Sequence, residues 1–251
     1  MPSLNDDDLN ESPDKFDWDY TADEDVLLQA VIDAFDKGGR ENFADVLRVV
    51  KRAYRIKTSD LVGSDNMIGA RVTYVDGDGE PEVVVTVADA DDGARIAVHD
   101  ATGSHLATGP VYGSGWRHQL CVAPFPPDGR PELAVTRKPH VDRVVEFYRF
   151  ADGALTVEAE VPDVSTHTYG SYNVDGGLAA DLDADGRPEL LVPNARRDEL
   201  LAIRRTAGGA AVAWRRALGG TLRTNLAGVA LPDGGVAVGA GTAAGVRVWQ
   251  G

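Results

Sequence analysis

The sequence DLDADGRPELLV at residues 181–192 determines how the rest of this chain is interpreted. Three aspartates occupy alternate positions, a glycine follows, and a glutamate comes four residues after the last aspartate. A hard cation takes several oxygen ligands at short range, and acids at this spacing can supply them. The apolar run that ends the stretch is typical of a buried strand. The stretch therefore predicts a calcium-binding loop that leads into a strand.

The predicted calcium ligands are four carboxylates and one backbone carbonyl: those of Asp181, Asp183, Asp185 and Glu189, and the carbonyl of Arg187. Such an ion would be structural, because it neutralises clustered acids and the loop leaves no evident open position for catalysis. The alternative is an aspartate-rich turn without an ion, in which the side chains accept hydrogen bonds from nearby backbone N–H groups.

The rest of the sequence contains degenerate copies of this loop. Each copy has an aspartate followed by a glycine, at 78–79, 128–129, 185–186 and 233–234. A second glycine lies 16, 16, 16 and 15 positions earlier, at Gly63, Gly113, Gly170 and Gly219. Three of the four turns continue as Gly-x-Pro-Glu and an apolar run. Four occurrences of nearly the same offset indicate an internal repeat with a period of 48 to 57 residues.

The other copies are weaker candidates for an ion. The first copy keeps Asp76, Asp78 and Glu82 but has Tyr74 at the first ligand position, which predicts a weaker calcium site. The second and fourth copies keep fewer acids and are predicted to be metal-free turns.

About fifty residues with four strand patterns per repeat is typical of one blade of a β-propeller. The Tyr-Gly pairs at 112–113 and 169–170 stand where the FG-GAP/VCBS repeat family has Phe-Gly, and the segment VGAG at 238–241 resembles its Gly-Ala-Pro segment. Residues 60–251 therefore resemble that family, the calcium-loop propellers of integrin α chains, some lectins and many bacterial proteins. The resemblance implies a propeller with structural Ca²⁺. It does not indicate the ligand, because one fold carries many functions.

The ends of the repeat region bear on the number of blades. The last repeat is one strand short, and an extra strand pattern, YRIKT at 54–58, precedes the first repeat. Pairing of that segment with the last repeat would leave no free edge and would close a four-bladed propeller within one chain. The family more often has seven blades. The alternatives are an open arc completed by another chain and a truncated chain.

Two amphipathic helices are predicted before the repeats. Thr21 and Glu24 form a capping box, apolar residues then recur at helical spacing, and the glycines at 38–39 end the first helix. The predicted fold class is mainly β, a four-bladed β-propeller preceded by an α-helical hairpin. Its parts are a disordered acidic arm at 1–20, the hairpin at 21–54 and the propeller at 55–251. The hairpin packs on the propeller or on a partner chain, so a homo-oligomer is possible.

Bulk properties exclude several classes of protein. The net charge of −15 argues against nucleic-acid binding, which needs a basic surface. No run of eighteen apolar residues is present, so no membrane span is expected. The first residues lack a secretory signal, which predicts a cytoplasmic protein, or a secreted one if a leader was removed. Cys121, the only cysteine, lies in an apolar pattern and is predicted to be a core residue.

In a propeller, the loops that lead into the innermost strands share one face with the turns between the second and third strands. That face is opposite the acidic loops. Here it collects Arg, His and Tyr side chains, which suit a polar, anionic small molecule, a glycan or an acidic peptide. The predicted ligand-binding residues are Arg117, His118, Arg137, His140, His167, Tyr169, Asn173, Arg196, Arg223 and Asn225. The alternative is that these are ordinary loop residues paired with neighbouring acids such as Asp142 and Asp198.

Three functions are open at this point. A non-enzymatic binding module is favoured, because no nucleophile motif, phosphate loop, dinucleotide fingerprint or zinc spacing is present. A lyase or isomerase acting on a sugar-like or carboxylate substrate is the second, with His118 and His167 as acid and base and Tyr169 or Tyr172 assisting. A structural assembly role through the helices is the third.

Overall fold

The computed structural model describes most of the repeat region: residues 70–89, 93–113, 115, 117–171, 173–174, 176–183, 185–232 and 235–250. These residues belong to one of the two compact units into which the chain divides, Met67–Gly251. The predicted acidic arm, helical hairpin and strand 54–58 lie outside the described residues, and those predictions stay predictions.

Within the described residues, fifteen strands form four sheets, which we number in chain order. Sheet I contains β1 (Ala70–Thr73), β2 (Glu82–Asp89), β3 (Gly93–His99) and β4 (His105–Thr108). Sheet II contains β5 (Arg117–Ala123), β6 (Glu132–Arg137), β7 (Val144–Ala151) and β8 (Ala154–Pro162). Sheet III contains β9 (Leu178–Ala180), β10 (Glu189–Pro193), β11 (Glu199–Thr206) and β12 (Gly209–Ala217). Sheet IV contains β13 (Leu222–Ala230), β14 (Val236–Thr242) and β15 (Gly245–Gln250).

Each sheet is an antiparallel meander in which consecutive strands pair. The mainly β class predicted from the sequence is confirmed, and the described residues contain no helix. Each sheet corresponds to one sequence repeat, and each acidic loop connects the first strand of its sheet to the second. Sheet IV has three strands, as the shorter last repeat predicts.

The glycines that mark the repeat adopt left-handed backbone conformations. Gly113, Gly170 and Gly219 have φ of 72°, 73° and 75°, and each lies before the first strand of its sheet. In the acidic loops, Gly129 and Gly186 have φ of 70° and 81°. A residue with a Cβ is disfavoured in this region, so the recurring glycines are explained by recurring backbone geometry.

Three hydrophobic clusters form the core, and each joins two sheets that are consecutive in the chain. One lies between sheets I and II around Ile96 and Tyr148, the next between sheets II and III around Phe147 and Leu201, and the last between sheets III and IV around Leu200. The sheets therefore pack face to face in chain order, as layers of a β-rich core do.

The two middle strands of sheet III, β10 and β11, are buried on both faces because they are apolar at successive positions. On β10, Leu190 and Val192 pack toward sheet II, whereas Leu191 packs toward sheet IV. Successive side chains of a strand point to opposite faces, so a continuous apolar run covers both. Full burial of each such side chain contributes about 1.5–3 kcal/mol.

The last sheet presents an exposed strand. On β15, Val246 and Val248 are exposed, and β15 is the edge strand of sheet IV. This is the edge at which the sequence predicts pairing with residues 54–58.

Candidate functional site

Three of the histidines predicted from the sequence form a cluster. The ring of His167 lies between those of His118 and His140, with centroids 5.2 Å and 4.8 Å away, and both contacts are edge-to-face. The ring of Tyr169 lies 5.8 Å from that of His140. His118 and His167 are buried, whereas Tyr169 is 62% exposed. The cluster therefore extends from the interior to the surface.

Two sheets and one linker position these rings. His118 lies on β5 and His140 in the turn between β6 and β7. His167 lies in the linker between β8 and β9, which is tied to both neighbouring sheets by backbone hydrogen bonds. Val164 donates to the carbonyl of Arg143 at 2.9 Å, and Ala195 donates to that of Asp163 at 2.8 Å.

A threonine hydroxyl links two of the histidines. Oγ1 of Thr166 lies 3.0 Å from Nδ1 of His167 and 3.4 Å from Nδ1 of His118. A hydroxyl has one proton to donate, so at most one of these two nitrogens accepts it. Burial lowers the pKa of His167 to about 3, and the charges of His118, His140 and Arg197 act in the same direction. His167 is therefore a neutral imidazole at physiological pH.

Two of the predicted ligand-binding arginines are engaged in a buried network. Nε of Arg117 lies 3.5 Å from Oε2 of Glu146, and Nη1 of Arg137 lies 2.5 Å from Oε1 of the same carboxylate. The hydroxyl of Tyr148 donates to Glu146 at 2.7 Å. Both guanidinium groups lie 4.6 Å from the ring centre of Tyr112. These two charges are balanced inside the protein, as the alternative interpretation of the sequence expects.

For a second set of arginines, no acidic partner lies among the described residues. The charges of Arg143 and Arg223, together with burial as the largest cause, lower the pKa of Arg197. We call these three residues the arginine cluster. Among the described residues, none of the three makes an ion pair within 4.0 Å. The side chain of Arg197 donates to a neutral group, with Nη1 3.4 Å from Oγ of Ser165.

The acids adjacent to the arginine cluster in the sequence are held by other partners. Asp142, next to Arg143, lies 3.2 Å from Nε of Arg137. Asp198, next to Arg197, lies 3.5 Å from Nε of Arg196 and accepts a 2.7 Å hydrogen bond from Asn194. The arginine cluster is therefore a local excess of positive charge in a protein whose net charge is −15.

The backbone joins the arginine cluster across three sheets. Arg197 lies in the turn between β10 and β11, and its carbonyl accepts a 2.8 Å hydrogen bond from Leu222 of β13. The side-chain Nδ2 of Asn173 donates to the backbone carbonyl of Arg223 at 2.8 Å. Arg143 and Arg197 have φ of 56° and 57°, a conformation that costs a non-glycine residue about 1–2 kcal/mol.

The sequence pattern places both Arg197 and Arg223 on the predicted binding face, but only Arg223 is among the predicted ligand-binding residues, and Arg143 is not predicted. Arg197 belongs to a turn that the repeat pattern assigns to the same face, so the pattern contained a signal for it. The other predicted residues vary in setting: Arg196 is exposed and paired with Asp198, Asn225 lies on β13, and Tyr172 lies outside the described residues.

The third acidic loop, residues 181–189, gathers carboxylates as predicted. Ligand oxygens of Asp181, Asp183 and Glu189 lie within 4.8 Å of one another, so the group could hold a metal ion. All of them are carboxylates, which suit a hard cation. Burial raises the pKa of Glu189, and its Oε2 atom is buried without a hydrogen bond.

The same carboxylates already contact an arginine. Nη2 of Arg204 lies 2.5 Å from Oδ2 of Asp183 and 3.6 Å from Oδ2 of Asp185, and it also pairs with Oε1 of Glu189. Asp181 instead accepts backbone hydrogen bonds from Asp185 at 3.2 Å and from Gly186 at 2.8 Å. The loop thus combines the clustered acids of the calcium hypothesis with the backbone hydrogen bonds of its alternative.

The first acidic loop, residues 74–82, contains the second group that could hold a metal ion: Asp76, Asp78 and Glu82. Glu82 is buried and its Oε2 accepts a 2.7 Å hydrogen bond from the N–H of Val75. Burial raises the pKa of Glu82, and the charges of Asp76 and Asp78 raise it further. In the described part of the chain, no arginine or lysine pairs with these three acids.

No helix of the described residues is long and apolar enough to cross a membrane. No protein-family model matches the chain, and no curated protein matches it.

Several solved structures are similar in part. The rhamnogalacturonan lyase YesW aligns with 74% of this chain at 18% identity and a TM-score of 0.49. The exotype rhamnogalacturonan lyase YesX aligns with 72% at 16% identity and a TM-score of 0.41. The rhamnogalacturonan lyase of Bacillus licheniformis aligns with 73% at 16% identity and a TM-score of 0.37. This chain spans 38% to 44% of the length of these proteins. With TM-scores below 0.5, none of these likenesses bears on its function.

Proposed function

We propose that this chain is a four-bladed, FG-GAP-like β-propeller that binds an anionic ligand, a sugar acid or an acidic peptide, at the arginine cluster. The fold proposal is supported by four consecutive antiparallel meanders, each packed on the next. It is also supported by the recurring left-handed glycines before the first strands and in the acidic loops. In this arrangement Ca²⁺ is the structural cation of an acidic loop.

The observation that carries the proposed function is that Arg143, Arg197 and Arg223 have no acidic partner among the residues that the structure describes. Burial lowers the pKa of Arg197, and repulsion from the positive charges of Arg143 and Arg223 lowers it further. A bound carboxylate would remove that repulsion and would accept paired N–H bonds from one guanidinium. Because Arg197 is partly buried, its interaction with an anion is screened less by water than a surface ion pair is.

Arg197 hydrogen-bonds to Ser165, two residues before His167, and its charge adds to the effect of burial in lowering the pKa of His167. Tyr169 packs against His140 of the same histidine cluster. Tyr169 offers an exposed ring and a hydroxyl to a ligand that has both apolar and polar groups. His167 offers a neutral imidazole, which does not repel the arginines and can donate or accept a hydrogen bond. This combination suits a carboxylated sugar better than a bare inorganic anion.

A calorimetric titration tests the proposed function. The ligands are an acidic oligosaccharide of uronic acids, its carboxyl-reduced neutral counterpart and a glutamate-rich peptide. We expect Arg197→Gln to weaken binding of the best acidic ligand about ten- to one-hundred-fold. Arg216→Gln is the matched control, because Arg216 is exposed on β12 and stacks on Trp214. Equal binding of the acidic and neutral sugars, or equal loss in both variants, would refute the proposal.

The second candidate is a lyase or isomerase, which the contact between His118 and His167 favours. A base would remove the proton next to a carboxylate. In a lyase the C–O bond to the leaving group then breaks and an acid protonates the departing oxygen. A pKa of about 3 makes His167 a weak base, so His118 or Tyr169 would have to take the proton. Formation of an absorbing unsaturated product, or deuterium exchange at that carbon, would establish catalysis. The assembly role depends on residues 21–54, outside the described part of the chain.

A further inference from the structure

We infer that Arg204 is the built-in cation of the third acidic loop, and that its guanidinium takes the place which the sequence pattern assigns to Ca²⁺. The inference is independent of the ligand proposed for the arginine cluster. It concerns the stretch of sequence that most resembles a calcium loop, residues 181–189, and it reverses the order of the two predicted calcium sites.

The guanidinium of Arg204 contacts two carboxylates of the third acidic loop. Nη2 of Arg204 lies 2.5 Å from Oδ2 of Asp183 and contacts Oε1 of Glu189, and Nε of Arg204 donates to the same Glu189 oxygen at 2.8 Å. A calcium ion binds carboxylate oxygens at about 2.3–2.6 Å. An ion at that distance from these oxygens would overlap the guanidinium and repel its charge. Calcium and Arg204 therefore compete for one position.

The burial of the three acids determines which of them needs a positive partner most. Glu189 is fully buried, so it is the carboxylate of this loop that most needs a positive partner. Asp183 and Asp185 have side chains 40% and 36% exposed, so water solvates them in part. Arg204 thus supplies the positive partner of Oε1 of Glu189, whereas Oε2 of Glu189 has no hydrogen bond among the described residues.

Sheets II and III each have an arginine at the same register position, opposite the glutamate that begins the second strand. In sheet III, Leu190 pairs with Ile203, which makes Glu189 and Arg204 the next residues on the two strands. In sheet II, Leu133 pairs with Tyr148, and the next residues are Glu132 and Arg149. Arg149 lies 2.6 Å from Glu132 and 2.6 Å from Asp128 of its own acidic loop. An arginine at the same cross-strand position therefore contacts the acids of two of the loops.

Sheet I differs at this position. Val83 pairs with His99, so the residue across from Glu82 is Asp100. Asp100 accepts hydrogen bonds from Thr102 and from the N–H of Ser104 in its own turn. The first acidic loop therefore has no arginine where the other two have one. A response to calcium in the intact protein is expected from this loop and not from the third.

The experiment uses the full chain with Asp76→Asn and Asp78→Asn, which remove the acids of the first loop. In this background we expect EGTA and millimolar Ca²⁺ to give the same melting temperature. Adding Arg204→Gln leaves Glu189 buried without a partner and should lower the melting temperature by about 6–12 °C. Millimolar Ca²⁺ should then recover part of that loss. Arg149→Gln is the matched control. Its loop has only Asp128 and Glu132, and Arg205 still contacts Glu132 at 2.7 Å, so no recovery by Ca²⁺ is expected.

Terbium luminescence gives a second measurement that does not require the Arg204 variant to fold. In the protein that carries Asp76→Asn and Asp78→Asn but keeps Arg204, the third loop should not bind terbium. A calcium-dependent melting shift or a terbium signal that Asp183→Asn abolishes would overturn the inference. Failure of Ca²⁺ to recover a folded Arg204→Gln variant would also overturn it.

Discussion

His167 packs edge-on against His118, with ring centroids 5.2 Å apart, and this contact joins sheet II to the linker that leads into sheet III. Both rings are buried. A proton on His167 would therefore place a charge in a poorly solvated position between two other imidazoles and close to Arg197. The contact is stable only while the ring is neutral, which makes it a determinant of acid stability.

Acid should destabilise the protein through His167. Its pKa falls from 6.5 to about 3 on folding, so the unfolded chain takes up this proton first as the pH drops. Stability contributed by the neutral ring is complete above about pH 6.5 and is lost progressively toward pH 3. The loss is about 2 kcal/mol at pH 5. Urea unfolding at pH 7.5 and pH 5.0 measures it.

The His167→Gln variant isolates this effect from the titration of the acids. Glutamine keeps polar atoms near Thr166 but does not titrate. We expect the difference between the two pH values to shrink by about 2 kcal/mol in the variant. An equal pH dependence in both proteins would show that His167 is not the group responsible.

Replacement of Glu146 should destabilise the fold strongly. Glu146→Gln removes the carboxylate that contacts both Arg117 at 3.5 Å and Arg137 at 2.5 Å, and Arg117 is fully buried. Loss of one partner of a buried ion pair costs about 3–5 kcal/mol. Glu160→Gln is the control, because Glu160 also contacts Arg137 but its side chain is 43% exposed. Thermal unfolding should show a loss below about 1 kcal/mol for the control. Similar losses in both variants would contradict the network described here.

The repeat pattern predicts much of this architecture because it records backbone geometry. Gly113, Gly170 and Gly219 recur where the chain needs a positive φ before a first strand, and that need is local to each repeat. The apolar runs after the acidic loops likewise become the second strands β2, β6 and β10. Both signals lie within a few residues, so sequence reasoning finds them.

The pairing of charges is less accessible to sequence reasoning. Arg204 and Glu189 are fifteen positions apart, and they meet only because the β10–β11 register sets them side by side. Arg117 and Arg137 look available for a ligand until β7 places Glu146 between them. In the described part of the chain no acid pairs with Arg197, because Asp198, the residue after it, is held by Arg196 and Asn194. Whether a charged side chain meets a partner depends on the positions of side chains from several strands.

A loop glycine provides a test of the repeat interpretation. Gly186 has φ of 81°, and a Cβ at this position would meet nothing within 4 Å. Gly186→Ala should therefore cost only the backbone strain, about 1–2 kcal/mol in urea unfolding. Gly208→Ala is the matched control, since Gly208 lies in a turn without a positive φ and has one atom, 4.0 Å away, near the added Cβ. No loss is expected there. Equal stability of the two variants would contradict a conformational role for the glycine.

Chelation tests whether an acidic loop holds calcium. We expect EGTA to lower the melting temperature of the unaltered protein by a few degrees, because the acids of the first loop lose their counter-ion. Asp78→Asn should abolish that shift. Asp183→Asn should preserve it, since Arg204 already serves the third loop. A melting temperature that does not respond to EGTA would rule out a structural calcium ion in this protein.

Arg197→Lys separates the charge of Arg197 from its geometry. A lysine keeps the positive charge but lacks the planar pair of N–H donors that matches a carboxylate. If a carboxylate binds Arg197 through two parallel hydrogen bonds, the lysine variant should lose about three- to ten-fold in affinity. Arg197→Gln should lose more than the lysine variant.

Raising the ionic strength from 0.05 M to 1 M should weaken binding to the unaltered protein and to Arg197→Lys, because both keep the charge that salt screens. Arg197→Gln should respond less. Calorimetric titration of the acidic oligosaccharide at both salt concentrations measures these differences, and an affinity independent of salt in all three proteins would exclude a charge-based site.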